Sequence, residues 1–175
     1  MKATIFCTLF LLISGLANFS NAQGPIDQMI KEWQRAKAYT REYLDAMPDS
    51  GYSFKPTAEM RSFAEQMLHL TDANYGIASA ATGEMQPVKD LEKSTMDKSK
   101  QNVTKIVMAG YDFVINSLQK LPANRLTETI KLFNQFEMSR ETALAKAFEH
   151  QTHHRGQTTV YLRLAGVKPP QEKLF

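Results

Sequence analysis

The sequence predicts an all-α protein built as a four-helix bundle, and three observations carry that prediction. Long segments run without Pro, the first of them without Gly as well, and clusters containing those residues separate them. Within the segments, apolar residues recur at helical spacing. The composition is that of a globular chain: 175 residues, 43% hydrophobic and 22% charged, too apolar for disorder. With 8 Gly and 7 Pro it is neither collagen-like nor low-complexity. A mean hydropathy of -0.36 excludes a multi-span membrane protein. A net charge of +3 is far from the dense basic stripe that phosphate binding needs, which argues against a nucleic-acid partner.

The first helix runs from Ile26 to Met47, opened by Pro25 and closed by Pro48-Asp49-Ser50-Gly51. The second is expected from Ala58 to about Ala81, with Thr57 as N-cap and Gly83 as its stop. A polar, lysine-rich linker follows. The third spans about Ser99 to Leu121, with Val103, Ile106, Val107, Val114, Leu118 and Leu121 on one face, and ends at Pro122. Residues Arg125 to Met138 are ambiguous, with a short extended stretch around Ile130-Lys131-Leu132-Phe133 as one reading. Ser139 then caps a fourth helix reaching Ala165, with Gly166 at the C′ position and Pro169-Pro170 beyond.

Ahead of these helices, Lys2 precedes an apolar run from Ala3 to Leu16 and a small, polar exit, ANFSNAQG. This is the layout of a secretory signal peptide, with Ser20 and Ala22 suiting cleavage after Ala22. The expected organisation is a signal peptide over 1–22 and one domain over 23–175, secreted or periplasmic. The run is shorter than the ~20 residues of a spanning helix, so a permanent membrane anchor is the weaker reading. Cys7 is the sole cysteine and lies in the leader, so the mature chain would have no thiol nucleophile, Cys-ligated zinc or disulfide.

Three of the four histidines sit in Glu149-His150-Gln151-Thr152-His153-His154-Arg155-Gly156. On a helix, His150 and His154 are one turn apart and can reach one ion, on a side shared with Ala143, Ala147, Tyr161 and Ala165. His153 points roughly 100° away from His154. Gln151 stands where a zincin protease places its general-base Glu, so that reading is rejected. By itself the pair fits a metal site and a chance pair of surface or hydrogen-bonded histidines equally.

The stretch His150 to Gln157 (HQTHHRGQ), with Val160-Tyr161-Leu162-Arg163-Leu164-Ala165-Gly166 and Pro169-Pro170, resembles the C-terminal signature of the DinB-like family. Tyr52-Ser53-Phe54-Lys55-Pro56-Thr57 and the run Met60 to Leu70 (MRSFAEQMLHL) resemble its second-helix signature. The resemblance covers nearly the whole mature chain. It implies a DinB/YfiT-like four-helix bundle, commonly a homodimer, with three His around one divalent metal. Carried onto this chain, the ligands are His69, His150 and His154. Zinc is the default ion because imidazole suits it; nickel, iron or manganese fit the same ligands.

On an ideal helix His69 lies opposite the stripe Met60, Phe63, Met67 and Ala78, beside Ser62, Glu65, Ala73, Gly76 and Ala80. Alone, that placement reads as solvent-facing. The two readings are compatible if the helix is buried on both sides, its small-residue face lining the metal pocket and its Met/Phe stripe packing on the bundle or a partner subunit. Glu65 and Asp72 flank His69 by one turn, and either would orient an imidazole or act as a base, or be an ordinary solvated carboxylate. Arg155 points towards Leu144, Phe148 and Leu162, where a buried guanidinium needs a carboxylate partner. Gln157 and Tyr161 line the pocket or pack in the core.

Characterised relatives in the resembled family include thiol-dependent S-transferases and isomerases, and others are described as metal-dependent hydrolases. The expectation is therefore an exported, metal-dependent enzyme of hydrolase or thiol-transferase type acting on an unknown small-molecule substrate. The alternative is a non-catalytic metal- or ligand-binding bundle of the cell envelope. A carboxylate free to act as base beside the ion separates hydrolysis from mere binding.

Overall fold

In the computed structural model, residues 24–175 are described; the expected signal peptide and Cys7 lie outside them. Four helices make up the framework: α1 (Gly24–Ala46), α2 (Phe63–Thr82), α3 (Lys100–Lys120) and α4 (Arg140–Leu164). A two-stranded antiparallel hairpin, β1 (Thr129–Leu132) and β2 (Phe136–Ser139), precedes α4, with Leu132 opposite Phe136 and Thr129 opposite Ser139. α2 is the central helix, packing most extensively on α4 and α3, while α1 packs mainly on α3. Among the described residues no helix is long and apolar enough to cross a membrane.

Burial follows from the spacing. On α1 the buried set Ile26, Trp33, Ala36, Tyr39, Thr40, Tyr43 and Leu44 recurs every three or four residues, one stripe facing inward. Trp33 anchors it, edge-on to Tyr111 of α3 and Phe148 of α4. α2 is buried over most of its circumference. Phe63, Met67 and Ala78 are fully enclosed within this one chain. The stripe that suggested a partner subunit is therefore taken up by the bundle, and only Met60 at its edge stays exposed.

One helix start differs from expectation, and the other ends fall close to it. α2 begins at Phe63, not Ala58, because Ser62 and Glu65 form a capping box: Ser62 accepts from the Glu65 backbone, and Glu65 accepts from Ser62 N–H at 2.8 Å. Thr57 sits instead in a turn closed by Met60 N–H to Thr57 C=O. Gly83 ends the helix at φ 87, as its lack of a Cβ allows. The ambiguous stretch resolves into the hairpin, whose turn places Phe133 between the strands. α4 ends at Leu164, with Gly166 at φ 75 and Val167 N–H bonded back to Leu162 C=O.

The interior also holds Arg155, 3% exposed. Among the described residues no carboxylate pairs with it. Instead Nη1 donates to Gln151 Oε1 at 2.7 Å and to Thr40 Oγ1 at 3.5 Å, and the guanidinium lies 4.7 Å from the centre of the Tyr39 ring. Tyr111 completes this buried group, donating to Gln151 Oε1 at 2.9 Å. Gln151 is thus an interior acceptor for a cation, far from the role of a catalytic base.

Candidate metal centre

The close packing of α2 on α4 brings His69 against the one-turn pair His150 and His154. Ring centres are 4.6 Å apart for His69 and His154, 5.3 Å for His69 and His150, and 4.2 Å for His150 and His154. One nitrogen from each lies within 4.8 Å of the others, a span from which three side chains can hold one ion. Among the described residues no carboxylate joins the three within that span. The double-sided burial of α2 explains how a histidine opposite the Met/Phe stripe still faces protein.

Burial is the main force on the α4 pair. It pushes His150 down to about 4 and His154 down to about 3, and the neighbouring imidazoles and Arg61 act in the same direction. Both rings are therefore neutral at pH 7, the form that ligates a metal. His150 Nδ1 is buried and has no hydrogen-bond partner in the protein, a cost that an ion or its ligands would relieve. The donor set fits a divalent metal.

The far sides of the other two rings are held. Glu92, on the α2–α3 linker, meets His69 Nδ1 at 2.8 Å, and Arg61 Nε donates to the other Glu92 oxygen at 2.7 Å. Burial alone would raise the Glu92 carboxyl, but the bonds from Arg61 and His69 outweigh it and hold it below the usual range. The Gln66 amide meets His154 Nδ1 at 2.8 Å and also bonds Gln157. At His69 the carboxylate accepts the Nδ1 proton in a hydrogen bond, leaves Nε2 for the ion and fixes the ring plane, as outer partners of metal-ligating histidines do. At His154 the Gln66 contact fixes the ring plane, and Nε2 is left for the ion when the amide turns its oxygen to Nδ1.

The two carboxylates flanking His69 in sequence are engaged elsewhere. Glu65 closes the capping box and pairs with Lys98 at 3.2 Å and Lys55 at 3.4 Å, and these contacts, Ser62 N–H first, pull it down to about 2. Asp72 accepts the backbone N–H groups of Leu91 and Glu92, both at 3.0 Å. It acts on His69 only through the linker it holds. His153 is exposed, its Nε2 2.8 Å from the Gln157 amide, outside the cluster. Tyr161 is core: its hydroxyl donates to Arg61 C=O at 2.8 Å, steadying the backbone of the residue that grips Glu92. Glu92 escapes sequence reasoning because an irregular linker has no periodicity from which a facing can be read. Gln66 has one weak signal, its place one turn before His69 on the same helix.

A four-helix bundle with three convergent histidines, joined among the described residues by no carboxylate, is the frame of a protein that could hold a divalent metal. The chain belongs to the DinB family, whose profile matches residues 18–174. It is similar to a DinB-like protein of Bacillus cereus ATCC 10987, at a TM-score of 0.75 and 21% identity, covering 84% of this chain and 97% of that one. It is also similar to a DinB-like protein of Bacillus subtilis, at 0.67 and 20% identity over 85% and 96% of the two chains. A conserved protein of Enterococcus faecalis follows at 0.58 and 15% identity, over 79% and 95%. At these identities the likeness speaks for the fold. No curated protein matches the chain.

Proposed function

We propose that the protein is an exported, metal-dependent enzyme that holds one divalent ion, zinc by default, on His69, His150 and His154 and acts on a small molecule. The observation that carries this reading is the convergence of three imidazoles which, among the described residues, no carboxylate or fourth histidine joins. When bound, such an ion supplies Lewis-acid polarisation and favours the ionised form of a nucleophile brought to it. The protein's own contribution is orientation and charge. Glu92 fixes His69, Gln66 fixes His154, and Arg61 adds a cation that favours an anionic reactant nearby.

Glu65, Asp72 and Glu92 are each hydrogen-bonded in the roles above, so none of these three is free to take a proton from water. That favours thiol-transfer chemistry, in which the thiol ionises readily without a carboxylate base, over hydrolysis. The same observation supports the second reading, a metal- or ligand-binding bundle of the envelope. The expected location outside the cytoplasm rests on the leader sequence alone.

The experiment is metal analysis of untagged protein, followed by thiol-transfer, esterase and amidase assays. We expect one equivalent of metal per chain and metal-dependent thiol transfer that His69→Ala abolishes. Stoichiometric metal without turnover in any assay points to the binding bundle. Protein that takes up no metal overturns the enzyme reading and leaves only a metal-free ligand-binding bundle.

A further inference from the structure

We propose that the β1–β2 hairpin and Ile77 form the apolar half of a ligand site whose polar half is the three-histidine cluster, so that the substrate is an amphipathic small molecule with a metal-coordinating head and an extended apolar body. The inference rests on the metal reading above and adds the chemistry of what binds there.

A cavity of about 430 Å³ lies between the hairpin and α4, within the range of small-ligand sites. Ile77, Leu132, Phe133, Phe136 and Met138 give it an apolar wall. His150 lines it from the other side, so the cavity and the metal centre share a residue. Lys146, paired with Glu149 at 2.7 Å, and the exposed His153 form a polar rim.

The turn provides a second, independent observation. Phe133 and Asn134 both have positive φ, 53° and 58°, and Gln135 N–H bonds Leu132 C=O at 3.1 Å. This is a tight hairpin turn of the type that favours Gly or Asn at both central positions. A bulky aromatic residue there is a conformational outlier that folding alone does not select. The residue is 60% exposed, yet its ring reaches back to α2: a Cβ on Gly76 would lie 3.9 Å from Phe133 Cε1. Phe136, 54% exposed, stands beside it. Two large rings held in water at the edge of a metal centre, one at a strained position, are what an apolar ligand body would cover.

The test is calorimetric titration of the zinc-loaded protein with acetohydroxamate and with octanohydroxamate, which share a metal-binding head and differ in chain length. Full burial of one methylene strengthens binding about fourfold, so in a groove open on one side we expect the longer ligand to bind at least ~30-fold tighter. In Phe133→Gly/Phe136→Ser that preference should shrink below ~3-fold, with zinc content and acetohydroxamate affinity kept. Phe133→Gly alone, by relieving the turn, should leave the melting temperature unchanged or raised, which separates lost binding from lost folding. Equal affinity for the two hydroxamates, or a preference that survives the double variant, overturns the inference and leaves the metal centre standing. Protein that retains no zinc overturns the metal reading and this inference with it.

Discussion

Glu92 reaches His69 from outside any helix, and its carboxylate is shared with Arg61. Glu92→Gln keeps the shape but weakens the acceptor, so metal affinity should fall by ~10–100-fold while the helical circular dichroism is unchanged. Competition with a chromophoric chelator measures it. His69→Ala, His150→Ala and His154→Ala should each abolish stoichiometric metal, whereas His153→Ala should keep it; emptying of the site by His153→Ala alone would make the ligand assignment wrong. The depressed pair also sets a pH dependence. Below the ordinary histidine value of 6.5, the unfolded chain binds protons that folded His150 and His154 refuse until about 4 and about 3. Stability of the chelated protein should therefore fall as pH drops from 6.5 towards 3. His150→Gln/His154→Gln should lose less over that window in thermal melts. At this scale the sequence pattern reveals the α4 pair by its one-turn spacing, and the family resemblance adds His69. The outer partner of His69 is invisible because nothing local dictates where Glu92 points.

Each helix end that follows a strong local signal matches its reading. Ser139 caps α4 as expected, and Ser99, read as the start of α3, is its cap, each accepting a backbone N–H three residues on. α2 is misread because two capping residues compete, and the reciprocal Ser62–Glu65 pair satisfies more orphan backbone groups than Thr57 can. The hairpin is only half legible: β1 has β-branched residues, but β2 and the turn are dictated by pairing and carry an aromatic residue where a turn former is expected. The α2–α3 contact gives a prediction against intuition. Ala normally improves on Gly in a helix by ~1 kcal/mol. At Gly110, however, a Cβ would come within 2.6 Å of Thr71 Cγ2, and Thr71 is pinned by its 2.9 Å bond to Met67 C=O. Gly110→Ala should destabilise by ~1–3 kcal/mol net and lower the melting temperature by several degrees in calorimetry.

For the molecule as a whole, the ligands stand on α2 and α4, the two helices most extensively packed on each other. The core orients them without help from an ion. Trp33, Tyr111, Phe63 and Leu118 are all but fully enclosed, and each such side chain contributes on the order of 1.5–3 kcal/mol of burial. Removing metal should therefore leave the helix signal at 25 °C intact. The melting temperature should drop by several degrees, since an ion at a hundredfold excess over its dissociation constant adds ~2.7 kcal/mol. Loss of most helix signal on chelation would make the metal structural. The all-α class is readable because three helices carry plain apolar stripes, whereas the packing that buries α2 all round is a property of the assembled bundle. The linker between α2 and α3 adds one consequence in time. Asp72 grips its backbone, and Glu92, the very next contact, grips a ligand of the ion. We expect exchange of an ion held by His69 to be paced by the linker lifting away from α2, a local opening that the four helices need not share.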